Sequence, residues 1–148
     1  MEKIITKSQK ETQEFAQKIA QQLIKNGLKN RAVVVALSGD LGAGKTTFTQ
    51  GFAKGLGLKE KILSPTFIIM KRFKLLDSNF KYLYHIDCYR LHSEKDLLHL
   101  DFKEVLKNQE NIVVIEWPEK IKKIIPKKNI IRINFLHLES HQRKLIIN

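Results

Sequence analysis

Gly39-Asp40-Leu41-Gly42-Ala43-Gly44-Lys45-Thr46 is a complete G-x-x-x-x-G-K-[ST] run. Residues of these types at this spacing bind phosphate. The glycines let successive backbone N–H groups turn inward as an anion cradle, and the positive end of a following helix points at the same oxygens. Lys45 is expected to reach the β- and γ-phosphates of a nucleotide, and the Thr46 hydroxyl to ligate Mg²⁺. Asp40, Leu41, Gly42, Ala43, Gly44 and Thr47 complete the expected nucleotide contacts. The motif also has the context it needs. Residues 32–37 (Ala-Val-Val-Val-Ala-Leu) read as a buried strand ahead of the loop, and residues 45–53 read as the helix behind it.

Chemistry on a bound triphosphate also needs acidic groups, and two runs supply them. His85-Ile86-Asp87-Cys88-Tyr89-Arg90 ends one apolar segment, and Asn111-Ile112-Val113-Val114-Ile115-Glu116-Trp117-Pro118 ends another. A carboxylate at the end of an apolar strand is the usual position for a group that organises Mg²⁺ in phosphate-loop proteins. Asp87 and Glu116 therefore compete for that role, and spacing does not rank them. Both can serve, one on the metal and one on water or substrate. Thr66 follows a Ser-Pro step that removes a ladder donor and bends the chain at an edge or loop. It is either a sensor of the γ-phosphate or an ordinary turn residue. His85 and Arg90 are weaker candidates than Asp87, since a lone histidine is more often a packing residue and a lone arginine more often a surface one.

The elements that must position these groups are legible in the pattern. Ser8-Gln9-Lys10-Glu11 is a capping box, and Phe15, Ile19 and Leu23 form an apolar stripe at helical spacing until Gly27. The polar residues 6–8 lie where they could approach a nucleotide base. Gly55 and Gly57 mark the end of the helix after the loop. Residues 66–76 and 80–88 flank Asp77-Ser78-Asn79 as a hairpin. Ser93-Glu94-Lys95-Asp96 and Asp101-Phe102-Lys103-Glu104 each look like a capping box, so two short helices are expected, with Leu97, Leu98, Val105 and Leu106 inward. Four consecutive apolar residues at 112–115 indicate a strand buried on both faces, as in a parallel sheet. Pro118 suits the first turn of a helix through residue 125. Residues 129–138 and 144–148 read as two strands around a polar turn, an antiparallel addition. The expected fold is a single α/β domain over 1–148 of the phosphate-loop NTPase type. Its sheet is mixed and mainly parallel, flanked by helices, with antiparallel additions.

Composition bounds the partners. A chain of 148 residues, 43% hydrophobic and 28% charged, fits one soluble globule with a sizeable core. No apolar run approaches the ~20 residues of a membrane span, and residues 1–7 lack the apolar core of a signal peptide. Cys88 is the one cysteine, so no internal disulfide forms, and a reducing cytoplasm is expected. The net charge of +12 favours approach to a polyanion, whether tRNA, an acidic protein or the nucleotide itself. The lysines are spread along the chain, with a modest cluster at Lys120, Lys122, Lys123, Lys127 and Lys128.

Four local motifs now stand in a fixed order: the phosphate loop, Ser64-Pro65-Thr66-Phe67, His85-Ile86-Asp87-Cys88-Tyr89-Arg90-Leu91, and Ile115-Glu116-Trp117-Pro118-Glu119. Together, and over nearly the whole chain, they resemble the TsaE family, the bacterial ATPases of tRNA threonylcarbamoyladenosine biosynthesis. The phosphate loop alone is generic, whereas its combination with H-x-D-x-Y-R and E-W at these separations is specific. The resemblance implies ATP and Mg²⁺ as cofactors, the TsaB–TsaD pair as partners and tRNA as an indirect partner, without a membrane. It would place Thr46 and Glu116 on Mg²⁺, Lys45 on the phosphates and Asp87 at the catalytic centre. Thr66 would lie in a switch-like loop, Trp117 beside the catalytic glutamate, and Arg143 near the nucleotide. Cys88 stands where leucine is commoner, a change conservative in burial.

Two other classes compete. A small-molecule or nucleoside kinase also uses a phosphate loop, but usually carries an arginine-rich lid, and no insertion here is long or arginine-rich enough. A nucleotide-sensing adaptor would hold ATP as a structural ligand. Phosphate transfer to a small acceptor would mark the kinase, and partner-stimulated hydrolysis would separate the ATPase from the adaptor.

Overall fold

The computed structural model describes residues 1–63 and 68–148 of the chain. Ser64, Pro65, Thr66 and Phe67, and with them the sensor role expected of Thr66, lie outside the described residues.

The valine-rich run becomes the central strand. β2 (Val33–Gly39) pairs in parallel with β5 (Asn111–Glu116) on one side and β6 (Ile130–His137) on the other. β5 in turn runs parallel to β4 (Tyr82–Asp87). Antiparallel strands finish both edges. β3 (Met70–Lys74) pairs with β4 as the second arm of the expected hairpin. On the far side β7 (Arg143–Ile147) folds back on β6, and β1 (Glu2–Thr6) closes the edge against β7. The order across the sheet is β1-β7-β6-β2-β5-β4-β3. The expected antiparallel addition at the C-terminus is therefore β7, while β6 itself joins the parallel set.

The period of two in β2 divides the core between the two faces of the sheet. Val33, Val35 and Leu37 face α1 (Gln9–Asn26) and α2 (Lys45–Gly55), in a layer with Phe48, Phe52, Phe80, Leu83, Ile112 and Phe135. Val34 faces the other layer, with Ile86, Cys88, Leu97, Phe102, Val113, Ile115 and Ile121. Leu97 and Phe102 come from the short helices α3 (Glu94–Leu98) and α4 (Phe102–Lys107). Each fully buried Phe or Leu contributes about 1.5–3 kcal/mol relative to exposure.

The first helix follows its sequence signal closely. Ser8 Oγ accepts from the Glu11 N–H at 3.1 Å, the Glu11 carboxylate accepts from the Lys7 N–H at 2.7 Å, and Gly27 at φ 74° ends the helix. The other helices depart from it. Neither Ser93 nor Asp101 makes a side-chain cap bond, and Asp101 takes a left-handed conformation at φ 56° that turns the chain between α3 and α4. Leu98 and Leu106 are half-buried, while Leu97 and Val105 carry the packing. Gly55 belongs to α2 and Gly57, at φ 84°, follows it. Gly51 and Gly55 instead let the two helices touch, since a Cβ on Gly51 would lie 2.4 Å from the carbonyl oxygen of Gln13. The helix expected through residue 125 shortens to a single 3-10 turn, Pro118–Ile121. Ile121 is buried and anchors that turn, and Pro126 sterically disfavours helical geometry in the residue before it.

Candidate functional site

The carboxyl ends of β2, β5 and β4 meet at one edge of the sheet, where parallel α/β folds place their ligands. Leu37 of β2 pairs with Glu116 of β5, and Glu116 with Asp87 of β4. Two residues beyond Leu37 the phosphate loop begins, and Gly42 and Gly44 take the positive φ values of 78° and 109° that aim its amides inward. Gly39 has a second constraint, because a Cβ there would meet the Phe135 carbonyl of neighbouring β6 at 2.6 Å.

A cleft of about 740 Å³ opens over the loop. Its walls include Leu41, Gly42, Gly44, Lys45, Thr46, Thr47, Asp87, Glu116, Trp117 and Arg143, so most of the sequence-selected groups converge. Asp40 and Ala43 do not line it. They form the back of the loop, joined by the Ala43 N–H donating to the Asp40 carbonyl at 3.0 Å. Residues 6–8, offered as base contacts, are not in the wall either. Their neighbour Gln9, the first residue of α1, takes that place.

Lys45 is nearly buried and turned onto its own loop. Its ammonium donates to the carbonyls of Gly39 and of Asp40 (2.8 Å to the latter) and lies 4.3 Å over the Trp117 ring. Burial lowers its pKa, opposed by the carboxylates of Glu116, Glu119, Asp87 and Asp40. Trp117 is held in a left-handed conformation, φ 58°, by its N–H bond to the Leu37 carbonyl at 3.2 Å and by Tyr89 against its ring at 5.0 Å. Such a conformation in a bulky residue costs on the order of 1–2 kcal/mol.

The two carboxylates differ in environment. Glu116 is buried, and its Oε1 meets both the Thr46 hydroxyl at 3.4 Å and His85 Nε2 at 3.0 Å. Asp87 is half-buried, and its Oδ1 accepts from the Tyr89 N–H at 3.0 Å. Burial raises the Asp87 pKa, the Tyr89 N–H lowers it, and the Glu116 charge adds to the rise. Behind them, burial pushes the Cys88 thiol up to about 12.

Arg143, at the start of β7, completes the opposite wall. A Cβ on Gly44 would lie 2.6 Å from its Nε, and that buried nitrogen has no hydrogen-bond partner among the described residues. A buried cationic donor left open against a phosphate loop fits an anion. Thr46 and Glu116 offer hard oxygen ligands suited to Mg²⁺, which binds through one or two protein groups plus substrate phosphates.

The family model for "Threonylcarbamoyl adenosine biosynthesis protein TsaE" matches residues 6–145. The chain belongs to the TsaE family. It is 37% identical over 137 residues to the Rickettsia typhi tRNA threonylcarbamoyladenosine biosynthesis protein TsaE, covering 92% of this chain and 87% of that one. The Haemophilus influenzae TsaE is 36% identical over 117 residues, covering 79% and 71%. The crystal structure of Bacillus subtilis YdiB superposes with a TM-score of 0.71 at 30% identity, over 97% of this chain and 82% of that one. TsaE membership makes this a magnesium-dependent ATP-hydrolysing enzyme of tRNA threonylcarbamoyladenosine modification. Among the described residues no helix is long and apolar enough to cross a membrane.

The sequence ranks His85 only as a weaker candidate, more often a packing residue, and offers no role at the site for Gln9 or Tyr89. For His85 the signal was present: on a strand, residues 85 and 87 point to one face, so a histidine two before a candidate carboxylate shares its cleft.

Proposed function

We propose that residues 1–148 act as one ATPase domain in the cytoplasm, working with the TsaB–TsaD pair, with the two carboxylates divided in role. Thr46 and Glu116 hold Mg²⁺, and Asp87 takes the proton of the attacking water. The observation that carries this division is the 3.4 Å approach of the Thr46 hydroxyl to the buried Glu116, beside a half-buried Asp87 whose pKa burial raises. A carboxylate already facing a phosphate-loop hydroxyl is placed to share a metal with it. One made more basic by burial is the better proton acceptor.

The remaining residues bind and orient the nucleotide. Lys45 leaves the carbonyls of Gly39 and Asp40 for the β- and γ-phosphates, while Gly42, Gly44, Thr46 and Thr47 offer backbone N–H groups, and Ala43 and Asp40 brace the loop from behind through their own backbone bond. Arg143 covers the loop from the β7 side, with Leu41 and Trp117 flanking it. Held by Thr46 and Glu116, magnesium would supply charge neutralisation at the transferred phosphate. The water oxygen then bonds to the γ-phosphorus, the bond to the bridging oxygen of ADP breaks, and the water proton passes to Asp87. Thr66 keeps its proposed role at the γ-phosphate from sequence alone. The lone, buried Cys88 supports a reducing compartment.

Steady-state hydrolysis tests the assignment. Lys45→Ala and Thr46→Ala should each abolish ATP turnover in magnesium, because one removes phosphate charge stabilisation and the other a metal ligand. Wild-type turnover in either variant would overturn it.

A further inference from the structure

We propose that His85 is a positioning residue whose ring holds the Glu116 carboxylate in the orientation that presents it, together with the Thr46 hydroxyl, to Mg²⁺. The inference rests on the reading of Glu116 as a metal ligand and adds to it the group that sets its geometry.

Three observations carry it. His85 and Glu116 are 1% and 4% exposed as side chains, and His85 Nε2 lies 3.0 Å from Glu116 Oε1. That same oxygen is the one approached by Thr46. His85 stands on β4 two residues before Asp87, so both project from one face of the strand toward the end of β5. A carboxylate serving as a metal ligand offers only acceptors, so the proton between the two residues sits on Nε2, which donates to Oε1. A single N–H bond fixes the carboxylate while leaving its other lone pairs open to the cleft that Glu116 lines. Leucine or phenylalanine at position 85 would fill the same space without directing that oxygen. Partners of this kind behind a metal ligand contribute about 10–100-fold to metal affinity.

The test compares two side chains of equal length in the full chain. His85→Gln keeps an N–H donor within reach of Glu116, and His85→Met fills the space without one. Trp117 is the one tryptophan, and it lies in the cleft, so its fluorescence follows ATP binding without turnover. Titrating MgCl₂ at fixed ATP, His85→Met should raise the half-saturating Mg²⁺ about tenfold or more, and His85→Gln should stay within about threefold of wild type. ATP affinity in EDTA should remain within about twofold of wild type for both, because the effect is routed through the metal ligand. His85→Asn, one carbon too short to reach, repeats the loss in a polar side chain and serves if the methionine variant does not fold. Equal impairment by Gln and Met would overturn the proposal, as would unchanged Mg²⁺ dependence in the folded Met variant. Glu116→Gln run in parallel separates the two claims. If it leaves the Mg²⁺ dependence unaltered, the metal role of Glu116 fails on its own account, whatever the His85 variants do.

Discussion

Asp87 and Glu116 are register partners at the ends of neighbouring parallel strands, yet one is half-buried in the cleft and the other is buried at its wall against Thr46 and His85. Two carboxylates placed side by side by the same sheet thus meet different solvent. Their variants should fail differently. Glu116→Gln, which removes a ligand rather than its support, should weaken magnesium-dependent ATP binding by more than the ~10–100-fold typical of a lost partner behind the ligand. Asp87→Asn should leave that binding close to wild type and lower turnover by about 10²–10⁴-fold, the range of a lost general base. Isothermal titration with and without Mg²⁺, beside steady-state hydrolysis, decides it. The reverse pattern would exchange the roles.

The raised pKa of Asp87 has a sign that can be checked twice. As a base it must be ionised, so turnover should be lost as pH falls through a value above the ordinary carboxylate range. For stability, a carboxyl that holds its proton more tightly folded than unfolded makes the folded state less stable as pH rises from its unfolded value, ~3.9, through the folded one. Above both values the ionised, partly buried group is a standing cost. Asp87→Asn should therefore melt higher than wild type near pH 7, with the difference shrinking in acid, and should lack the acid limb of any residual rate profile. Thermal melts across pH give the first result and rate profiles the second.

Lys45 and Trp117 supply a built-in reporter. The ammonium lies 4.3 Å over the indole ring in the free protein, and the phosphates must draw it away. ATP should change Trp117 fluorescence, and Lys45→Met should change the starting signal while abolishing the nucleotide response. A full response in that variant would mean that the signal does not come from the lysine.

Much of this was legible because local rules and tertiary fold agree. The valine run, the glycine positions of the loop and the Ser8–Glu11 cap each dictate their own geometry. β1 escaped notice because Glu2-Lys3-Ile4-Ile5-Thr6 is a short, mostly exposed edge strand, made a strand only by its pairing with distant β7. The helix after Pro118 stops short of Pro126, which disfavours helical geometry in the residue before it, and the left-handed Trp117 that starts the turn is a strain visible only once Leu37 and Tyr89 are in place. Arg143 could be suspected from resemblance, but its approach to Gly44 needs β7 folded beside the loop. The His85–Glu116 contact depends on β4 and β5 pairing in register, 31 residues apart.

Gly51 offers a stability test separate from chemistry. A methyl group there would press on Gln13 backbone at 2.4–2.5 Å, which cannot yield like a side chain. Helix propensity favours alanine by up to about 1 kcal/mol, and overpacking costs about 1–3 kcal/mol, so the clash should win. Gly51→Ala should lower the denaturation midpoint in urea. A gain in stability would show that α1 and α2 can part freely.

The last prediction concerns partners. Among the described residues, the cleft wall carries exposed apolar side chains: Leu41 and Ile68 are 75% and 58% exposed, and Tyr89 is also accessible. Residues that wall a nucleotide site yet remain apolar and exposed leave water in contact with the reacting groups, so chemistry by the isolated chain should be slow. Asp87, only half-buried, gains its full basicity when that water is excluded. A protein packing over the rim would bury the apolar side chains, dry the cleft and could add a positive charge at the γ-phosphate. In GTPases an arginine supplied in this way is worth about 10³–10⁵ in rate, so a large partner effect is within physical reach. The net charge of +12 favours an acidic partner face or tRNA, and screening by salt should weaken that recruitment. Hydrolysis should therefore be slow alone, rise when the TsaB–TsaD pair is added, and rise less at high salt; adding tRNA as a further arm shows whether it acts through the same surface. Full turnover in isolation, unchanged by either addition, would contradict partner dependence and return weight to an autonomous ATPase.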